Sequence, residues 1–119
     1  MVLVANVIVA VIAGLHLYIL VLEMFLWTKR TGRRAFGFTE EFAQATKVLA
    51  ANQGLYNGFL AAGLLWSLFP SGYQFELKVF FLSCILVAGV FGAFTANKKI
   101  LWIQAVPAVI GLCVVIAAH

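Results

Sequence analysis

Four apolar runs, each about as long as a lipid bilayer is thick, constrain this sequence more than any other feature. They are Val2 to Trp27, Val48 to Phe69, Leu77 to Thr95 and Ile100 to Ala118. A hydrocarbon core of about 30 Å is crossed by about 20 residues of helix. An unpaired backbone amide in lipid costs several kcal/mol, so such runs must satisfy their own hydrogen bonds, and they lack the strict alternation of barrel strands. Composition agrees: of 119 residues 65% are hydrophobic and 10% charged, with a mean hydropathy of +1.08. An ordinary soluble domain holds about 45–50% apolar and about 25% charged residues. The sequence predicts an all-α polytopic membrane protein, a four-transmembrane-helix bundle forming a single domain over residues 1–119. The same composition excludes disorder, collagen and disulfide scaffolds, and Cys84 and Cys113 both sit inside apolar runs, where free cysteine acts as a small hydrophobe.

The connections predict the orientation. Lys29, Arg30, Arg33, Arg34 and Lys47 lie between the first and second runs, Lys98 and Lys99 between the third and fourth, and Lys78 is assigned to the second connection. Basic residues favour the cytoplasmic side. The first and third connections are therefore expected inside, with both termini and the Pro70-Ser71-Gly72 turn outside. The first run has no basic segment before it and no small-residue cleavage site after it, so it is expected to be a retained span rather than a signal peptide. Trp27, Trp66, Tyr73 and Trp102 fall near span ends, as an aromatic belt requires. Thr28 to Lys47 reads as a loop in its first half, with Gly32 and Gly37 among basic residues. In its second half Thr39 caps a helix carrying Glu40 and Glu41 in its first turn. That helix is expected to run on to Phe69 and to project beyond the bilayer.

Polar groups inside such spans are functional candidates. At about 1.5 Å per residue from the cytoplasmic boundary, Asn52 and Gln104 lie about 7.5 Å inward, Glu23 and Gln53 about 9 Å, Tyr56 and Asn57 about 13.5–15 Å, and His16 about 19 Å. The outer half offers Ser83 and Cys84 and little else. His16 and Glu23, seven residues apart, share a helix face, and Gln53, Tyr56 and Asn57 form an i, i+3, i+4 stripe with Asn52 beside it. His16, Glu23, Asn52, Gln53, Tyr56, Asn57 and Gln104 are thus the expected lining of an inner-half polar cavity, with Glu23 turned toward the stripe. Gly54 and Gly58, followed by Ala62, permit close helix approach. Pro107 removes a backbone donor and frees a carbonyl near Gln104.

No CxxC, HExxH, GxSxG, P-loop or paired metal-ligand histidines are present, so neither a metal nor another cofactor is expected. The basic residues lack the aromatic-interleaved face of a nucleic-acid binder. The segments His16-Leu17-Tyr18-Ile19, Leu22-Glu23-Met24-Phe25-Leu26-Trp27, Asn52-Gln53-Gly54-Leu55-Tyr56-Asn57-Gly58 and Gly89-Val90-Phe91-Gly92-Ala93-Phe94 resemble a bacterial family of small four-helix membrane proteins, domain of unknown function 1304. That resemblance covers essentially the whole chain and implies a membrane location and four spans, with no assigned activity. A looser likeness is to glutathione-dependent eicosanoid-type membrane enzymes, although Leu49, Ala50 and Ala51 stand where their basic, acidic and histidine positions fall. Small multidrug exporters are similar in size, but Glu23 lies nearer a helix end than their coupling carboxylate.

The expected function is binding or transport of a small amphipathic or cationic molecule in the polar cavity, and the reading leans away from an enzyme. The alternatives are an embedded enzyme acting on a lipophilic substrate, of quinone-redox or glutathione-transferase type, and a structural subunit. Membrane lipid is an expected partner and nucleic acid is not. Association into a homo-oligomer is expected from the close-approach glycines Gly54, Gly58, Gly89 and Gly92.

Overall fold

A computed structural model describes all residues, 1–119. The chain is entirely helical: α1 is Val2–Met24, α2 Arg30–Phe36, α3 Glu40–Trp66, α4 Gln74–Thr95 and α5 Val106–Ala117, with a π-helical turn, Leu101–Ala105, leading directly into α5. α1 and α4 are each long and apolar enough to cross a membrane, and Leu101–Ala117 is a shorter apolar helix. The chain divides into two compact units, Gly14–Ala61 and Met1–Ala13 with Ala62–His119.

Along α1 the buried residues Ala5, Val9, Ile12, His16 and Glu23 recur at spacings of three, four or seven, so one narrow seam faces inward. Over the first three turns the opposite side is bare, with Leu3, Val7 and Val11 74%, 54% and 66% exposed, an apolar face, while Ala13 and Leu22 are buried off the seam.

Within Gly14–Ala61, α3 starts where its cap predicts. Thr39 Oγ1 accepts the Phe42 amide at 3.2 Å, and Glu40 and Glu41 occupy the first turn. Ala50, Gly54, Asn57 and Ala61 are buried at spacings of four, three and four. The two glycines there admit α1: a Cβ on Gly54 would stand 2.6 Å from Met24 Cγ and 3.2 Å from the Leu20 carbonyl oxygen, and one on Gly58 2.7 Å from Leu20 Cδ1.

The segment expected to begin as a loop instead forms α2. Arg33, Arg34 and Ala35 are good helix formers, and Gly37, at φ 73°, ends the helix by donating its N–H to the Arg33 carbonyl at 2.8 Å. Its glycines signal close approach and termination rather than flexibility. Gly32 is buried against the Leu26 carbonyl, and a Cβ there would overlap that oxygen and lie 2.6 Å from its carbon. Aromatic rings lock the turn: Trp27 meets Phe36 at 4.9 Å and Phe38 at 5.0 Å, Phe38 meets Phe42 at 4.6 Å, and Trp27 Nε1 donates to Thr46 Oγ1 at 3.0 Å. Trp27, expected in an aromatic belt, is therefore half-buried and tied to α3.

In the other unit, α4 buries Lys78, Leu82, Ile85 and Gly89 at spacings of four, three and four. Gly89 lets α4 approach the π turn, since a Cβ would stand 2.7 Å from Ala105 N. That turn is explained by Pro107, which has no N–H and whose ring would crowd the Ile103 carbonyl of a regular helix. The wider turn is closed by the Val106 N–H on the Leu101 carbonyl, five residues back.

Several boundaries move. α1 ends at Met24 rather than Trp27. α3 ends at Trp66 rather than Phe69, because Leu68 and Phe69 form tight bonds three residues back to Leu65 and Trp66. α4 begins at Gln74 rather than Leu77, which puts Lys78, 6% exposed, in its second turn, and no basic residue lies between α3 and α4. Gly54, Gly58, Gly89 and Gly92 are all met by atoms of the same chain, Gly92 by Ile100, so these glycines are spent on packing within one copy.

Candidate functional site

Glu23 lies in the last turn of α1 and Asn57 in the middle of α3, both facing inward at 9% and 7% exposure. Asn57 Nδ2 donates to Glu23 Oε1 at 2.6 Å and lies 3.2 Å from its own helix's Gln53 carbonyl. A carboxylate buried among apolar side chains needs such a donor, since a charged or polar group left unpaired there is costly. Close packing of Gly54 against Glu23 and Met24 brings the two helices near enough for the short amide to reach.

Beside this pair a cleft of about 450 Å³ opens, walled by Glu23, Trp27, Lys47 and Asn52 together with apolar Met24, Val48 and Leu55. Asn57 occupies one carboxylate oxygen of Glu23, which leaves Oε2 to take a further donor. A carboxylate beside an indole ring suits an ammonium group, through charge-assisted hydrogen bonding and cation–π attraction. Lys47 is exposed at the same cleft.

The expected polar stripe divides. Asn57 alone of it faces Glu23. Gln53 and Tyr56 are exposed, Tyr56 at 55%, with its ring 6.2 Å from that of Phe59. The i, i+3, i+4 spacing put these residues within about 100° of one another, but α1 packs over the Gly54 side, which turns Tyr56 outward. Asn52 lines the cleft, and its Nδ2 donates to the Val48 carbonyl of its own helix at 2.9 Å. His16 is fully buried on the Glu23 face of α1, outside the cleft wall. Gln104 is half-buried in the π turn and belongs to the other unit.

One feature of the cleft escaped the sequence reading: Lys47 was legible only as a boundary charge, whereas Trp27 shares the His16 and Glu23 face of the first run by spacing. The available signal was spacing, since Lys47, Ala51 and Leu55 follow one another by four on α3. Ser67 and Lys78 are further buried polar residues, and Asn6 is half-buried. Asn6 is a single polar residue in apolar surroundings, and nothing in its neighbours' periodicity marks it.

Residues 10–116 match the family described as "Protein of unknown function (DUF1304)". The chain is also 35% identical over 97 residues to the "Uncharacterized protein YpaA" of Lactococcus lactis subsp. lactis (strain IL1403), covering 80% of this chain and 82% of that protein. No solved structure matches the chain. The matched stretch contains every cleft residue and both members of the Glu23–Asn57 pair, and on that coverage the chain belongs to the DUF1304 family.

Proposed function

We propose that this protein is a four-span protein of the bacterial cytoplasmic membrane whose Glu23 cleft binds a small amphipathic molecule with a cationic, N–H-donating head. The spans are α1, α3 from Val48, α4 and Leu101–Ala117, with the termini outside and α2 inside. The exposed apolar faces support insertion. Besides those of α1, Phe80, Val87, Phe91 and Phe94 of α4 are 61–86% exposed, a cost in water that lipid removes. Five basic residues between α1 and the Val48 span, and none between α3 and α4, support the orientation.

The observation that carries the binding reading is the short Asn57–Glu23 bond, which holds a carboxylate at the base of a cleft walled by Trp27 with one oxygen left to accept. An apolar tail fits against Met24, Val48 and Leu55 while the head meets Glu23.

Two experiments test these statements. In sealed vesicles, with Cys84 and Cys113 replaced by Ala, Arg33→Cys and Ser71→Cys are expected to label from opposite sides with an impermeant maleimide. Labelling of both from one side rejects the topology. For the ligand, a Trp66→Phe, Trp102→Phe protein in phosphatidylcholine nanodiscs reports binding through Trp27 fluorescence. Hexylammonium is expected to give a saturable change and hexanol none, and Glu23→Gln is expected to weaken hexylammonium binding by about tenfold or more, the worth of a charge-assisted bond. Equal responses to hexylammonium and hexanol, or equal affinity in Glu23→Gln, reject the cleft as a cation site.

A further inference from the structure

A second cavity, of about 300 Å³, lies within the Met1–Ala13 and Ala62–His119 unit, where the start of α1, the first turns of α4 and the end of α5 meet. Its walls include Asn6, Gln74, Phe75, Lys78, Val115 and His119. The rings of Phe75 and His119 stack with centroids 3.8 Å apart and planes 15° from parallel, forming one flat side.

Lys78 is the feature that needs explaining. It is 6% exposed, and its ammonium donates to the Ser67 carbonyl at 3.0 Å. Ser67 immediately follows α3, so Lys78 meets the carbonyl-rich end of that helix, where a cation is favoured. That contact engages one of three ammonium donors. No carboxylate side chain lines the cavity, and Glu76, two residues away on the same helix, is exposed and about 200° round from Lys78. A buried cation without a counter-charge is costly. A second observation points into the same place: Asn6 Oδ1 is buried and has no hydrogen-bond partner. The cavity thus offers surplus donors from a positive group and an unused neutral acceptor.

We infer that this cavity binds a small anionic head group that also carries a hydroxyl donor, a phosphate ester of glycerophosphate type. Its phosphate oxygens accept from Lys78 and its hydroxyl donates to Asn6. The volume stands at the lower end of the roughly 300–1,000 Å³ usual for ligand pockets, which suits a head group and not a whole lipid. The same chemistry is presented by the head of an anionic phospholipid and by a free glycerol phosphate. The site is separate from the Glu23 cleft, and neither inference depends on the other.

The test uses the full chain in phosphatidylcholine nanodiscs, with thermal unfolding as readout. One arm adds phosphatidylglycerol to the bilayer, a second adds soluble sn-glycerol 3-phosphate, and a third adds phosphatidic acid, which has the phosphate without the hydroxyl. Stabilisation of the parent protein is expected in at least one of the first two arms; phosphatidylglycerol alone identifies a lipid head group and the soluble ester a free ligand. Lys78→Met is expected to lower apparent affinity by about tenfold or more. Asn6→Leu, which leaves the Lys78–Ser67 bond in place, is expected to weaken the hydroxyl-bearing ligand by at least about threefold and to leave phosphatidic acid unaffected. A purely structural role for Lys78 predicts that no additive shifts the parent protein, and that outcome overturns the inference. Equal affinities in Lys78→Met and the parent overturn it as well. Should Lys78→Met fail to fold, Asn6→Leu decides: unchanged discrimination between phosphatidylglycerol and phosphatidic acid rejects the site.

Discussion

Asn57→Leu is expected to destabilise the protein by about 2–3 kcal/mol, measured by reversible unfolding in mixed micelles. Hydrogen bonds between helices in membranes average about 0.6 kcal/mol and reach about 1.7, because the unfolded chain finds other partners in the bilayer. The 2.6 Å bond to a carboxylate belongs at the upper end of that range. The larger part of the effect lies in what the substitution leaves behind. Glu23 is 9% exposed, and without Asn57 it becomes a buried carboxylate lacking its donor, a penalty of about 1–3 kcal/mol. The sign of the double variant separates the two contributions. Glu23→Leu combined with Asn57→Leu removes donor and acceptor together and is expected to recover most of the loss, since replacing both partners by apolar groups of similar shape is close to neutral. Additive losses in the double variant would mean that Asn57 stabilises through packing alone, and the pair would then no longer anchor the cleft. The cycle also bears on function, because the double variant should fold and yet lose hexylammonium binding.

Gly32→Ala carries the other large effect, and its cause is steric. A Cβ at Gly32 overlaps the Leu26 carbonyl oxygen and stands 3.1 Å from Trp27 Cα, so the obstruction is backbone and no side-chain rotation relieves it. Overpacking of this kind costs about 1–3 kcal/mol, occasionally more, and the rigid neighbour places Gly32→Ala at or above the top of that range. Relief requires α2 to move away from the end of α1, which pulls Phe36 and Phe38 off Trp27. The expected signature is therefore a lower unfolding midpoint together with a shift in Trp27 emission. Gly14→Ala is the control: it is also helical, nothing lies within 4 Å of the new Cβ, and Ala is favoured over Gly in a helix by about 1 kcal/mol. It should leave stability unchanged or raise it. Equal losses at Gly14 and Gly32 would contradict the close approach seen between α2 and the end of α1.

The family was legible in the sequence because the segments that carry it, such as Asn52 to Gly58, are contiguous. Helicity followed from the length of the apolar runs, and Thr39, Glu40 and Glu41 marked the start of α3 because an N-cap is a local device. Pro107 announced an irregularity near Gln104, and the π turn appears there because the missing N–H is a covalent property of the residue.

The seven-residue spacing of His16 and Glu23 placed both on one side of α1, and periodicity within one helix needs no partner to be read. Which member of the α3 stripe met Glu23 was a different kind of question. Gln53, Tyr56 and Asn57 are equivalent by spacing, and the choice fell to Asn57 because Gly54 and Gly58 let α1 settle on their flank. The same holds for Gly32 and Gly37, which look alike in composition but act through a close backbone approach in one case and a left-handed helix end in the other. Lys78 shows the limit most plainly. In the sequence it stands at the edge of the third apolar run and counts as a connection charge, and it becomes a buried cation because the end of α3 lies within 3.0 Å of its ammonium. Residue type and local spacing determine which helices form and which face of each is apolar, because those depend on backbone hydrogen bonding and burial along a single element. The rotation of one helix against another is set by where small side chains permit close contact, and that choice, made only in the tertiary structure, decided which polar groups became partners.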